Sequence, residues 1–351
     1  MGYEAPQGTM RLPYGFTMKP LNSGPGKRTM KRSVLLAGVF AVAVATAGSA
    51  QFPPDSFTNL QVLPADIGTA ELIGTMRSFA IGLGVRCEYC HDGEPGRPLA
   101  TFNFTSDSKP TKQKAREMLR MMRDINQRVL PGLPERTEPN VNVSCATCHR
   151  GVARPRMMED VLIEAHAEGG REALETKYQE LRDRYYGSYS YDFSESVLIN
   201  VAQRLVAKNH IADAVAVLDI NFVLFPESRL TRFTYVPAAL ELAAAEGGGA
   251  ALRARYKELK PQGPPQAFQE NMLNQLGYRL LGQESIPAAI EAFRLNVEQF
   301  PQAFNAYDSL GEAYMIAGER EMAIRNYEKS LELNPQNANA AEKLRELRGH
   351  R

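Results

Sequence analysis

The sequence predicts a mainly α-helical protein in two parts, an N-terminal module built around two cysteine motifs and a C-terminal stack of paired helices. First, 351 residues exceed what a single hydrophobic core usually organises. Second, apolar residues recur at helical spacing before and after the first cysteine motif. Third, residues 269–302 and 303–336 are similar at a period of 34, which is typical of helix-pair repeats. The composition, 44% hydrophobic and 23% charged, excludes a multi-span membrane protein and a disordered chain.

Residues 1–50 are expected to be an N-terminal extension followed by a signal peptide. From Met30 the chain runs through two basic residues, an apolar stretch and small residues, which is the order of a secretory signal. The apolar stretch, residues 34–47, is shorter than the ~20 residues that span a bilayer. We expect translation to start at Met30 and cleavage to follow Ala47 or Ala50; an uncleaved anchor is the alternative. Without this segment 35 basic and 39 acidic residues remain, which gives no reason to expect nucleic-acid binding.

All four cysteines lie in two copies of Cys-x-x-Cys-His: Cys87, Cys90 and His91, then Cys145, Cys148 and His149. Two thiols separated by two residues can reach both vinyl groups of a haem, and the adjacent imidazole can take one axial position on its iron. A zinc site would have to join the two pairs across 54 residues, against the usual ~15–20. A thioredoxin-like redox motif would need a flanking βαβ pattern, which the sequence lacks. The motifs therefore predict two covalently bound haem c groups.

The helix expected upstream of the first motif offers a candidate for the opposite axial ligand. Its inward positions include Met76, eleven residues before Cys87, and Gly82 and Gly84 are expected to end it. A thioether opposite histidine gives a closed, six-coordinate iron suited to electron transfer. The spacing alone equally allows Met76 to be a core residue.

A second helix is expected from Pro110 to Leu130. Any of its methionines could face the second haem, although three of them on one helix are also typical of adaptable packing; they are Met118, Met121 and Met122. His166 is a further candidate, but a single histidine on a charged helical segment is more often solvated. The sequence does not identify the sixth ligand of the second haem.

Residues 57–155 or so resemble half of the tetrahaem cytochrome subunit of bacterial photosynthetic reaction centres. The matching stretches are Met76 to His91, Arg120 to Asn126, and Cys145 to Gly151. The resemblance implies that Met76 is a distal haem ligand, and it places Met121 at the matching position of the second helix. Two motifs instead of four, the lack of a lipid-anchor cysteine after the signal and an added C-terminal part imply a photosynthetic role only weakly.

The C-terminal part resembles tetratricopeptide repeats, which are helix pairs stacked into a solenoid. An earlier unit is expected at 194–227, a degenerate one from Ser228 to about Gly263, and a closing helix from Asn339. The fold class expected is therefore a multihaem c-type cytochrome module followed by an α-solenoid. The domains expected are 1–50, the extension and signal; 51–160, the dihaem module; 161–193, a helical linker; and 194–351, the repeats with their closing helix.

These features predict an exported electron carrier rather than an enzyme, in the periplasm or at the periplasmic face of the inner membrane. Its partners would be redox proteins, including a membrane electron-transfer complex, docked through the repeats. Equally, the repeats could bury one side of the haem module or form a dimer contact. One alternative is a dihaem peroxidase-like enzyme with one open iron. Another is a redox-sensing scaffold in which the repeats do the main work.

Overall fold

In the computed structural model, residues 52–54, 56–135 and 141–349 are described, and they form helices joined by turns and loops. Within these ranges the only β-type pairing is an isolated antiparallel bridge between Asp92 and Asn103, which confirms the mainly α class. The expected signal peptide lies outside the described residues. In the described part of the chain, no helix is both long enough and apolar enough to cross a membrane.

The chain divides into two compact units. The described part of the first, here called the motif unit, comprises residues 52–54, 56–135 and 141–157 together with 185–191. The second, the repeat unit, comprises residues 158–184 and 192–349. The segment expected to be a linker at 161–193 therefore lies for the most part within the repeat unit.

The motif unit contains α1 (Thr69–Leu83), α2 (Pro110–Asp124) and the short α3 (Cys145–His149). As expected, α1 ends at a glycine: Gly84 adopts a left-handed conformation (φ 64°), and its N–H donates to the carbonyl of Ile81 at 3.2 Å. Such a conformation is strained for residues that carry a Cβ.

Helix α2 is shorter than the 110–130 helix expected from the sequence. It begins at Pro110, as predicted, but is regular only to Asp124. A wider helical turn follows over Ile125–Val129, and a tight turn over Leu130–Gly132 ends the segment. Pro131 has no N–H to continue the helical ladder, so the chain must leave the helix there.

The repeat unit is a succession of antiparallel helices: α4 (Met158–Tyr185), α5 (Glu195–Ala207), α6 (Ile211–Leu224), α7 (Arg229–Leu259), α8 (Glu270–Gly282), α9 (Ile286–Gln299), α10 (Phe304–Ile316), α11 (Arg320–Leu333) and α12 (Ala338–Gly349). The pairs α8–α9 and α10–α11 correspond to the two repeats recognised at a period of 34. A continuous cluster of buried apolar side chains runs through α7 to α12. Ala340 and Leu344 bury one face of α12 against it, as expected for a closing helix.

Two long helices, α4 and α7, are broken at the same kind of site. Gly169–Gly170 and Gly247–Gly248 have nearly identical non-helical angles, with φ 65° at the second glycine of each pair. The sequences around them match at a spacing of 78, with the shared pattern Ala-x-Ala-Glu-Gly-Gly-x-x-Ala-Leu-x-x-x-Tyr. Each long helix is thus two helices joined by a kink, and the series of helix pairs begins at α4.

Candidate functional site

The first cysteine motif forms a single tight turn. Residues Cys87–Tyr89 are helical, and the carbonyl of Cys87 accepts hydrogen bonds from the N–H of Cys90 at 3.2 Å and of His91 at 2.9 Å. Burial raises the pKa of the Cys90 thiol, and the neighbouring Cys87 raises it further. The local backbone therefore carries two thiols and one imidazole within one five-residue turn.

The imidazole of His91 is held neutral by its surroundings. Burial lowers its pKa to about 4, and the positive charges of Lys112 and Arg116 act in the same direction. Its ring lies edge-on to Phe104 with 4.9 Å between centroids. Its Nδ1 atom is buried and has no hydrogen-bond partner among the described residues. A neutral imidazole is the form that ligates iron.

The two cations near His91 are compensated by one carboxylate. Asp107 accepts a hydrogen bond from Arg116 at 2.9 Å and lies 3.1 Å from Lys112 Nζ. The Arg116 guanidinium holds the pKa of Asp107 well below its usual range. Lys112 also donates to the carbonyls of Phe104 and Ser106, at 2.9 and 2.7 Å. This network fastens the loop after the first motif to the first turns of α2.

The second motif is the helix α3 itself. Ser144 caps it in a reciprocal arrangement: its hydroxyl accepts from the N–H of Thr147, and the Thr147 hydroxyl accepts from the N–H of Ser144 at 2.9 Å. The Nδ1 atom of His149 lies 3.1 Å from the carbonyl oxygen of Val152. Since a carbonyl can only accept, Nδ1 carries the proton, and the lone pair of Nε2 is left for a metal.

Contacts from α1 and from the wide turn that follows α2 position the second motif. Asn126 clamps the backbone of Val143, donating to its carbonyl at 2.9 Å and accepting from its N–H at 2.8 Å. At the other end of α3, the carbonyl of Gly82 accepts from the N–H of Gly151 at 2.9 Å. A Cβ on Gly84 would lie 1.9 Å from the Gly151 carbonyl oxygen, so the two segments touch backbone to backbone.

The methionines named from the sequence all lie in the motif unit. Met76 is half-buried on α1, on the same face as the buried Leu72. Met122 is half-buried on α2, whereas Met118 and Met121 are 47% and 50% exposed. The packed face of α2 thus includes Met122 but neither Met118 nor Met121.

His166 lies in the repeat unit and is not solvated, contrary to expectation. It is only 9% exposed, and its Nε2 atom lies 2.8 Å from Asp213 Oδ2. The role of Asn126 also escaped sequence reasoning. It closes the Arg-Met-x-Arg-Asp-x-Asn stretch on which the resemblance rests, and that was the available signal.

The motif unit fits covalently attached haem on three observations. Its four cysteines form no disulfide. One histidine has its tautomer fixed for ligation, and the other is held neutral. Of its described residues, Ile67, Leu72 and Phe102 are the only buried hydrophobics, while large apolar side chains such as Ile81 (76% exposed) and Met121 lie at its surface. An apolar macrocycle is a suitable partner for such a surface.

Comparison with known proteins agrees with this arrangement. A family model described as photosynthetic reaction centre cytochrome C subunit matches residues 18–214, and a tetratricopeptide repeat model matches residues 304–337. The chain is 39% identical over 100 residues to cytochrome c-554 of Chloroflexus aurantiacus, which covers 28% of this chain and 21% of that protein. It is 33% identical over 100 residues to the photosynthetic reaction center cytochrome c subunit of Rubrivivax gelatinosus, covering 26% of each. The chain thus spans about a quarter of the length of these relatives.

Among solved structures, the chain is similar to the crystal structure of MamA protein, with 18% identity, a TM-score of 0.29, and coverage of 52% of this chain and 92% of that one. It is also similar to MamA 41-end from Desulfovibrio magneticus RS-1, with 16% identity, a TM-score of 0.29, and coverage of 52% and 95%.

Proposed function

Because the chain belongs to the photosynthetic reaction centre cytochrome C subunit family, we propose that it is an exported dihaem c-type cytochrome that transfers electrons between redox proteins. The observation that carries the proposal is the pair of Cys-x-x-Cys-His turns within one compact unit, each presenting two thiols and an imidazole. When bound, the haem iron supplies one-electron chemistry by cycling between its ferric and ferrous forms.

The residues around each motif then have definite tasks. Cys87, Cys90, Cys145 and Cys148 would attach the two groups by thioether bonds, and His91 and His149 would be the proximal ligands. The Val152 carbonyl orients the ring of His149, and a hydrogen bond of this kind raises the basicity of a ligating imidazole. Around His91, burial and the neighbouring Lys112 and Arg116 keep the imidazole unprotonated.

Met76 is our candidate for a distal ligand, because family resemblance and position on α1 agree. For the second iron, Met122 is better placed than Met118 and Met121, since it is half-buried whereas they are exposed, and it lies four residues before Asn126, which holds the segment before α3. Methionine opposite histidine raises the reduction potential and closes the iron to small ligands.

The tetratricopeptide repeats would dock the cytochrome onto a protein partner. Stacked helix pairs present extended surfaces that commonly hold another protein. The signal expected over residues 30–50 would place the mature chain in the periplasm, the compartment in which haem would be attached and in which the redox partners would be found. Redox proteins of that compartment, including a membrane electron-transfer complex, are the partners proposed.

The test begins with the full chain expressed in a host that attaches haem and exports the product. The mass of the mature protein should correspond to two haem groups and to cleavage after Ala47 or Ala50. A variant with Cys145→Ser and Cys148→Ser should retain one group. A colourless product with free or zinc-bound thiols would overturn the proposal.

The axial ligands are tested by potentiometry and visible spectroscopy. Met76→Ala should lower the reduction potential of one haem and open its iron to carbon monoxide, and Met122→Ala should do the same for the other. The matched control is Met157→Ala, which removes an exposed methionine of the same unit and should change neither potential. Rapid carbon monoxide binding by the unmodified chain would instead favour an enzyme with an open iron.

A further inference from the structure

Two imidazoles and a carboxylate converge in the repeat unit. His166 projects from α4, His210 immediately precedes α6, and Asp213 lies in the first turn of α6. Their ligand atoms all lie within 4.8 Å of one another, and the rings of His166 and His210 have centroids 4.8 Å apart. His166 Nε2 and Asp213 Oδ2 are 2.8 Å apart. The three groups are close enough to share one ion after small side-chain movements.

The cluster is partly enclosed. The side chains of His166 and Asp213 are 8% and 28% exposed, whereas His210 lies at the surface. One carboxylate beside two imidazoles makes an environment that a cation would stabilise.

The chain contains a second copy of this substructure for comparison. The breaks in α4 and α7 have matching backbone angles and align in sequence at a spacing of 78, so the position of His166 corresponds to Ala244. The residues that precede α6 and α9 have matching angles and matching backbone hydrogen bonds. The position of His210 therefore corresponds to Ser285.

Ser285 lies 75 residues after His210, and at this spacing Asp213 corresponds to Ala288. Ala244 and Ala288 are buried, at 4% and 1% exposure. The second copy thus closes the same place with two alanines and a serine, which shows that the fold does not need imidazole or carboxylate there. The two imidazoles and the carboxylate of the first copy are therefore expected to have a role other than packing.

We propose that His166, His210 and Asp213 bind one divalent transition-metal ion of the zinc type. Zinc favours imidazole nitrogen and carboxylate oxygen, and three protein ligands leave the fourth tetrahedral position to water or to a donor group of a bound partner. The ion fastens α4 to the start of α6 and so fixes the first helix pairs of the stack. The site is independent of the haem motifs, because all its ligands lie in the repeat unit.

The test uses the full, haem-loaded chain without a histidine tag, since unattached Cys-x-x-Cys-His thiols would themselves take up zinc. Equilibrium dialysis against micromolar Zn²⁺ is followed by elemental analysis, in which the iron content counts the chains. One zinc per chain is expected. His210→Gln should weaken zinc affinity by about 10–100-fold or more, and this variant should fold because His210 is exposed. His350→Gln, which removes a histidine outside the described residues, should leave the affinity unchanged.

A second variant separates metal binding from folding. The double change His166→Ala and Asp213→Ala installs the residues that the second copy carries at these positions, so the helices should form normally. Zinc should raise the unfolding temperature of the unmodified chain and not that of the double variant. If no zinc is retained at micromolar concentration, or if the retained zinc is unaffected by His210→Gln, the proposal is wrong.

Discussion

Replacing Asn126 with alanine should weaken the motif unit where the second motif is held. The Asn126 side chain makes two hydrogen bonds to the backbone of Val143, two residues before Cys145, and it is half-buried. Each such bond contributes about 0.5–1.5 kcal/mol net. Alanine removes both and leaves two backbone groups of Val143 without their partner, so the expected loss in the free energy of unfolding is about 2 kcal/mol.

The measurement is guanidinium denaturation of the full chain, followed by haem absorbance so that the signal reports the motif unit. The midpoint should fall while the slope of the transition stays constant, because the surface exposed on unfolding is unchanged. Asn126→Asp should be intermediate or worse: it keeps an acceptor for the Val143 N–H but turns a carboxylate oxygen toward the Val143 carbonyl. Gln127→Ala, a change at the exposed neighbouring position, is the control. If Asn126→Ala and Gln127→Ala denature at the same midpoint, the clamp does not stabilise the unit.

Three other predictions concern single positions. Gly84→Ala should destabilise the motif unit by more than the ~1–2 kcal/mol of left-handed strain, since its Cβ would strike a carbonyl. Gly96→Ala, also at positive φ but with open space around it, should cost the strain alone. Equal denaturation midpoints for the two variants would contradict this. Burial raises the pKa of Asp219 to about 6, so the native state loses stability as pH rises from about 4 to 6. At pH 7.5 Asp219→Asn should therefore be more stable than the unmodified chain, by about 1 kcal/mol after allowance for solvent screening. Near pH 4 thermal unfolding should show the two proteins to be equally stable. Leu252→Ala should cost about 2–5 kcal/mol in the repeat unit, because Leu252 is fully buried, while Leu230→Ala at an exposed position should cost little, as circular dichroism would show.

The features that sequence reasoning predicted are those set by local chemistry. The helical spacing before Cys87 and the glycines after it predicted α1 and its end at Gly84, because periodicity and left-handed capping are properties of short segments. The end of α2 was misplaced by a few residues, since the apolar spacing of the sequence continues through Ile125 and Val129, whereas the backbone changes to a wide helical turn after Asp124. The role of Asn126 was missed, because the stretch that it closes marks the residue but not its partner Val143, which lies 17 residues away along the chain.

The helix pair in α4 was missed at a fixed period of 34, and the pair in α7 was expected only as a degenerate unit from Ser228 to about Gly263, because each pair is joined by a two-glycine kink instead of a loop. The second glycine of each kink adopts positive φ, and the first approaches the Cβ of an alanine four residues later, Ala173 or Ala251, closely enough to exclude a Cβ of its own. Glycine is required at both positions for these reasons. The matching Gly-Gly-x-x-Ala-Leu pattern was therefore a usable signal, and it would have assigned α4 to the repeats instead of to a linker.

The two units rely on different sources of stability. The repeat unit buries apolar side chains from Met158 to Leu344, and each helix pair covers the face that its neighbour leaves open. The described residues of the motif unit bury three hydrophobic side chains and hold their loops by polar contacts such as the Asp107 network and the Asn126 clamp. Polar contacts fix geometry but contribute little net free energy, whereas apolar burial drives folding. In a c-type cytochrome the attached haem adds apolar surface, so under the proposed function the groups that would carry electrons in this unit would also complete its core.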